Sequence, residues 1–342
     1  MATINLGVIG LGRMGQIFSQ HLARHTGGGR LAAVSSRTPK VAAQVAAQGY
    51  DVKTYSDYHD LIADPTIDGV VIATLTHTHH DIVVAAAEAG KPIFCEKPIA
   101  LTLAETDRMM AAVEKAGIPF QVAFMRRFDK GYAAAKQRIE AGEIGEPLVA
   151  LAMSRDPQCP DPAWANPASS GGMIVDLAIH DIDVVRWLMA DEVERVYTEG
   201  AVLNCPDLAA VGDIDSAVIS LRFARGGLGS IEACRDSAYG YDIRCEIRGT
   251  KGTLQIGYLQ ETPVVTLSAA GSHTDIVPWF AERYAPAYAA QLDHFIDCLQ
   301  HDHAPSVGLA DARIALQISL AATQSHQEGR PVRVAEARDL SF

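Results

Sequence analysis

The stretch Ile4-Asn5-Leu6-Gly7-Val8-Ile9-Gly10-Leu11-Gly12-Arg13-Met14-Gly15 decides the fold. Its first six residues are apolar and β-branched enough for a buried strand, and Arg13 to Arg24 carries Ile17, Leu22 and Ala23 on one prospective helical face. The glycine pattern alone also fits an ordinary turn, but a strand before it and a helix after it give the context that makes it a dinucleotide signal. In that context Gly10 allows the tight turn, Gly12 lets backbone approach a pyrophosphate, and Gly15 packs helix on strand. Arg13 and Met14 then lie in the first helical turn, whose free N–H groups face the negative charge.

A carboxylate for the ribose 2′-hydroxyl is expected about 20 residues further on, after the second strand. That strand, Leu31-Ala32-Ala33-Val34, runs into Ser35-Ser36-Arg37-Thr38 with no acid. A guanidinium beside hydroxyls binds a 2′-phosphate and stacks on adenine, so Ser36 and Arg37 lean toward NADP or dual use. An Arg37 that is merely solvated leaves NAD in play.

At 342 residues the chain exceeds one ordinary core, which predicts two domains. A net charge of -12 without any Lys/Arg cluster argues against nucleic acid or an anionic membrane as partner. The first strand begins too early for a secretory leader and no apolar run reaches spanning length, so a cytoplasmic location is expected. Cys95, Cys159, Cys205, Cys234, Cys245 and Cys298 lack C-x-x-C spacing, and reduced, mostly buried thiols are expected.

Strand and helix signals alternate through the first third. Gly69 to Ala73, Pro92 to Cys95 and Phe120 to Ala123 read as strands; Asp81 to Ala89 and Leu103 to Ala116 read as helices, the second stopped at Gly117. Such alternation predicts a parallel, doubly wound α/β sheet over 1–123. Over 124–342 the rhythm changes. Helices are expected at Tyr132 to Ala141 and Gly172 to Met189, strands at Val193 to Ala201, Ser216 to Phe223, Gly229 to Cys234, Ile243 to Arg248 and Thr253 to Ile256, and closing helices at Ala287 to Leu299 and Leu309 to Gln327. That order makes a second, α+β domain with a mostly antiparallel sheet.

Two constellations carry chemistry. Glu96-Lys97-Pro98 follows a strand at the carboxyl edge, where open α/β sheets bind ligands. In Gly171 to Asp183, spacing of four puts Asp176 and His180 on one helix face, with Asp183 a turn further. A mid-helix histidine is often only a satisfied core residue; with a carboxylate on the same face, a lysine and a nicotinamide it becomes a general base. His180 would take the hydroxyl proton of an alcohol while hydride leaves carbon, Lys97 would stabilise the alkoxide charge, and Asp176 would fix substrate and imidazole. His77-Thr78-His79-His80 suggests a metal, but these residues follow a strand where Thr74, Leu75, Thr76 and His79 line a cofactor or cap the next helix. No metal is required.

Together these residues resemble the glucose-fructose oxidoreductase/inositol dehydrogenase (Gfo/Idh/MocA) family, in its inositol 2-dehydrogenase branch. The resemblance rests on Glu96-Lys97-Pro98, Phe124-Met125-Arg126-Arg127-Phe128-Asp129, Asp176 with His180, Tyr239-Gly240-Tyr241-Asp242-Ile243 and Tyr288 to Leu299. It implies a Rossmann domain beside a domain with a large open sheet whose exposed face builds a homo-oligomer, a dimer or tetramer. It implies Lys97, Asp176 and His180 as catalytic trio, and Arg127, Asp156 and Tyr239 beside them in a polyol pocket. The implied activity is oxidation of a cyclitol ring hydroxyl such as that of myo- or scyllo-inositol, with a pyranose or anhydro-sugar, or a non-catalytic NAD(P) sensor, as alternatives. Two departures stand out: Ser-Ser-Arg replaces the Asp many relatives carry after the second strand, and Asp156 stands where some carry Asn.

Overall fold

The computed structural model describes residues 3–24, 28–47 and 51–340. It forms two compact units, Met1–Met125 with Pro286–Leu316, and Arg126–Ala285 with Gln317–Phe342.

In the first unit β1 (Ile4–Ile9), α1 (Arg13–Ala23), β2 (Gly29–Ser35), α2 (Pro39–Ala46), β3 (Lys53–Tyr55), α3 (Tyr58–Ala63), β4 (Gly69–Ile72), α4 (His79–Glu88), β5 (Ile93–Cys95), α5 (Leu103–Ala116) and β6 (Phe120–Val122) alternate along the chain. The sheet order is β3-β2-β1-β4-β5-β6, every pair parallel. The order reverses between β1 and β4, and a crevice beyond the carboxyl ends of those two strands is where such a sheet takes its ligand. Helix α5 ends as its sequence implies, at Gly117 with φ +63, a conformation that costs a residue with Cβ dearly.

The expected continuous second domain over 124–342 is interrupted by 286–316, which returns to the first unit. The cause is aromatic packing: Phe18 meets Phe94 at 5.2 Å and Tyr288 at 6.5 Å, and Phe94 meets Phe295 at 5.9 Å. Burial of each such ring is worth about 1.5–3 kcal/mol, enough to recruit a distant segment.

The second unit contains α6 (Lys130–Glu140), β7 (Pro147–Arg155), the short helices α7 (Pro162–Ala165) and α8 (Pro167–Ser170), and α9 (Ile179–Met189). After them come β8 (Val193–Ala201), β9 (Ser216–Phe223), β10 (Leu228–Cys234), β11 (Asp242–Gly249), β12 (Thr253–Ile256) and the hairpin β13 (Gln260–Ser268) and β14 (Gly271–Ile276). Helices α10 (Phe280–His301) and α11 (Leu309–Glu328) each cross from one unit to the other, and β15 (Val332–Arg333) closes the sheet. The larger sheet runs β12-β11-β7-β10-β9-β8-β15, with β7 and β10 parallel and the other pairs antiparallel. Along β9, Ala217, Ile219, Leu221 and Phe223 are buried while Val218, Ser220 and Arg222 are exposed, the period-two mark of a sheet covered on one face. Helix α9 lies on the buried face: its Asp181 accepts from Ser154 of β7, whose register puts Ser154 level with Ile243 and Ala233.

The expectation of reduced thiols fails at Cys159 and Cys205, which form a disulfide. Their 46-residue separation hides that the loops after β7 and β8 meet, with Cα atoms 5.7 Å apart, within bridging range. Cys95, Cys245 and Cys298 are free and buried, and Cys234 is free and half-buried. Among the described residues, no helix is long and apolar enough to cross a membrane.

Candidate active site

The glycine turn of the first unit fits a dinucleotide by three separate tests. Gly10 has φ +90, its N–H donates to Ser35 at 2.9 Å, and a Cβ there would lie 2.7 Å from the Ala73 carbonyl oxygen. A Cβ at Gly15 would come within 1.9 Å of the Gly10 carbonyl oxygen, so α1 packs on the turn only through glycine. Gly12, the residue before α1, meets nothing within 4 Å at the Cβ position and no side chain caps the helix. Open space in front of uncapped N–H groups is what a pyrophosphate needs. Arg13 is exposed and Met14 half-buried beside it.

Beyond β2, Ser36 Oγ accepts from the Thr38 N–H at 3.1 Å, a local turn, and the Arg37 side chain is exposed. Beyond β4, Thr74 accepts from Thr78 at 2.7 Å and Leu75 is 49% exposed. His79 is 1% exposed, with Nδ1 at 2.9 Å from the Pro98 carbonyl and Nε2 at 3.2 Å from that of Thr74. It braces the loop after β4 against the loop bearing Lys97, and a neutral ring donates to one of these carbonyls at a time.

Burial lowers the His79 pKa to about 4 from 6.5, against the pull of the carbonyls. The unfolded chain takes up this proton near pH 6.5 and the folded one only near pH 4, so stability present above that window is lost as pH falls through it, by up to about 3 kcal/mol. Urea midpoints of wild type and His79→Gln between pH 7 and pH 4 check this. The glutamine variant should lose less stability on acidification; parallel curves would refute a buried neutral imidazole.

Lys97 follows β5 in the same unit. Glu96 is buried and its N–H donates to Ile72 at 2.9 Å, while its carboxylate accepts from the Lys97 N–H at 3.1 Å. The half-buried Lys97 thus leaves the carboxyl edge of the sheet with its backbone fixed by the preceding side chain.

In the second unit the expected uniform helix over Gly172 to Met189 opens at its start into a π turn, Ile174–Ala178, that runs into α9. Wider turns of this kind occur mostly at functional sites. Asp176 lies in the π turn and His180, 8% exposed, at the start of α9. Gly172 precedes the turn with φ +76, and a Cβ there would lie 2.9 Å from Asp213 Oδ1, which accepts the Met173 N–H at 2.9 Å. Asp176 in turn receives Arg235 Nη2 at 3.2 Å.

Neighbouring acids serve the fold. Asp183 is held by Arg127, whose Nε donates at 2.9 Å, and Asp181 by Arg126 and Ser154, both at 2.6 Å. Arg127 therefore sits buried in an ion pair and over Trp187, 5.7 Å from the ring centre. Asp129 of the same run binds Arg283 at 2.7 Å. Asp156 is half-buried where β7 ends, its N–H donating to Cys234 at 3.0 Å and its carbonyl accepting from Ser237 at 2.7 Å. Tyr239 is 42% exposed, donates to Asp242 at 2.6 Å and accepts from Arg155 at 2.6 Å.

Sequence reasoning missed Arg235 and Asp213, because their relation to Asp176 exists only once β9, β10 and the π turn come together. The sole hint was an arginine directly after a strand end, four residues before Tyr239.

Residues 4–124 match the family model described as "Oxidoreductase family, NAD-binding Rossmann fold", and residues 136–334 match "Oxidoreductase family, C-terminal alpha/beta domain". The chain belongs to the Gfo/Idh/MocA oxidoreductase family. Within this family the chain is 40% identical to the scyllo-inositol 2-dehydrogenase (NAD(+)) of Bacillus subtilis, over 97% of this chain and 96% of that one. It is 37% identical to the myo-inositol 2-dehydrogenase of Thermotoga maritima, over 97% and 99% respectively. Its fold is similar to the crystal structure of scyllo-inositol dehydrogenase from Lactobacillus casei with bound NAD(H) and scyllo-inositol, at TM-score 0.92 and 29% identity, covering 98% of this chain and all (100%) of that one. The Gfo/Idh/MocA oxidoreductase described here is therefore an enzyme-family member with an NAD-binding Rossmann unit and a mixed, mostly antiparallel second sheet.

Proposed function

We propose that this oxidoreductase oxidises a secondary ring hydroxyl of a cyclitol, of the myo- or scyllo-inositol type, to the ketone. The observation that carries the reading is the placement of a carboxylate, Asp176, in the π turn and an imidazole, His180, in the first turn of the helix it runs into, in a chain that matches inositol 2-dehydrogenases over nearly its whole length. His180 accepts the hydroxyl proton, Lys97 donates to the same oxygen as charge develops on it, and Asp176 orients both substrate and imidazole. A bound oxidised nicotinamide supplies the acceptor for the hydride, so the carbon loses two electrons and the hydroxyl oxygen its proton. Gly10, Gly12 and Gly15 would hold the pyrophosphate of that cofactor. On the uncovered face of the larger sheet the exposed Leu151, Val218 and Leu228 support a homo-oligomer, which sedimentation of the purified protein tests.

For the cofactor we infer dual use leaning to NADP, supported by exposed Arg37 and the lack of a carboxylate at Ser35-Ser36-Arg37. The test is nicotinamide absorbance with NAD and NADP against myo-inositol, scyllo-inositol, D-glucose and L-glucose, for wild type and Arg37→Ala. Cyclitol turnover is expected, with Arg37→Ala lowering kcat/KM about tenfold for NADP and far less for NAD. Turnover of an aldose alone moves the assignment to a sugar dehydrogenase. An equal loss with both cofactors would refute a 2′-phosphate role for Arg37.

A further inference from the structure

Asp176 is tied to a buried cation. Arg235 is 2% exposed and donates from Nη2 to Asp176 Oδ2 at 3.2 Å, and the ring of Trp164 lies 5.3 Å from the guanidinium carbon. Asp213, 6% exposed, holds the Met173 N–H at 2.9 Å immediately before the π turn, and the Arg235 charge lowers its carboxyl pKa. Burial raises the Asp213 carboxyl, Arg235 lowers it and Asp176 raises it again, so the three charges act on one another. The Arg235 backbone is fixed as well, its N–H donating to Asp215 at 2.8 Å just past the end of β10.

Among the described residues, Nε and Nη1 of Arg235 and Oδ2 of Asp213 are buried with no hydrogen-bond partner. A guanidinium in that condition is a poor device for stability, since an apolar side chain of similar volume avoids the desolvation of its unpaired edges. What it does achieve is a fixed charge-assisted bond to the carboxylate of the π turn, backed by an aromatic face.

We propose that Arg235, backed by Trp164 and Asp213, is a positioning residue that holds the Asp176 carboxylate in one orientation for the oxidation step. The proposal rests on the reading of Asp176 and His180 as the site of polyol oxidation. Arg235 does not touch the reacting atoms; it acts through Asp176, and misplacement by about 1 Å in such an array lowers rates by about 100-fold.

The test compares wild type, Arg235→Met, Arg235→Gln and Arg235→Lys, all first checked for native melting. Two readouts are taken: steady-state kinetics with the cyclitol, and the 13Cγ resonance of Asp176 in aspartate-labelled protein, assigned by its loss in Asp176→Asn. Arg235→Met should lower kcat by about 100-fold with cofactor KM unchanged and should shift the Asp176 resonance, with Arg235→Lys recovering part of both. If Arg235→Met does not fold, Arg235→Gln carries the same readouts, since it removes the charge and keeps a donor. An unmoved resonance overturns the proposal even if kcat falls, because the loss would then come from elsewhere. A wild-type protein inactive on every polyol sinks the function reading instead, and the resonance still decides whether Arg235 orders Asp176.

Discussion

Replacing His180 by alanine should lower kcat for cyclitol oxidation by about 1,000-fold while leaving cofactor affinity within about threefold of wild type. The first expectation follows from chemistry: a ring hydroxyl is too weak an acid to lose its proton unaided near neutrality, and imidazole is the side chain whose ordinary titration range matches the task. The second follows from architecture, since the glycine cradle belongs to the first unit and His180 to the second. Asp176→Asn should cost less, because the amide still hydrogen-bonds and the base remains. Nicotinamide absorbance gives kcat, and quenching of intrinsic fluorescence gives cofactor binding. A His180→Ala protein that retained a tenth of wild-type kcat would remove His180 from the proton transfer, and intact cellular function with no measurable loss would favour a nucleotide sensor.

Most of the first unit's sheet was legible because β1, β2, β4, β5 and β6 are short, mostly apolar runs and its turns use glycines that geometry demands; β3, Lys-Thr-Tyr, has no apolar run, and neither it nor the flanking α2 and α3 was expected. β1 and α5 begin and end where the sequence puts them, and Gly117 supplies the left-handed cap. The second unit hid more. Strand β7, Pro-Leu-Val-Ala-Leu-Ala-Met-Ser-Arg, was missed because Ala, Leu and Met favour helices in isolation, and only pairing with β10 and β11 on either side makes it a strand. The hairpin β13 and β14 was also missed; its Val264, Val265 and Leu267 are exposed, so its sequence carries no burial pattern. Helix α10 was expected to start after Pro286 yet begins at Phe280 and continues through it, with the boundary between the units at that proline. For the site, spacing put Asp176 and His180 on one face of an assumed uniform helix, with Asp183 a turn further. The π turn and the Arg127 pair show that a period of 3.6 held through α9 but not through the segment that bears Asp176.

Arg126→Met should destabilise the second unit by about 4 kcal/mol, the largest loss expected from a single change away from the glycine turn. Arg126 is 1% exposed and Asp181 fully buried; they meet at 2.6 Å, and Ser154 bonds both, accepting from Arg126 at 2.8 Å and donating to Asp181 at 2.6 Å. Methionine leaves the Asp181 carboxylate in the interior with one neutral donor, and a carboxylate so placed must either carry its desolvation unpaired or take up a proton. Asp181 follows His180 directly on α9, so the same ion pair fixes the register that presents His180, the proposed base. Stability and turnover should therefore fall together, whereas Arg313→Ala, which removes an exposed pair with Asp107, should move neither by much. Urea denaturation of Arg126→Met, Asp181→Asn and the double variant decides the cause. If the loss comes from a stranded charge, Arg126→Met combined with Asp181→Asn should be more stable than Arg126→Met alone; additive losses would instead locate the defect in packing of the second unit, whose interior holds the fully buried rings of Tyr132 and Tyr284.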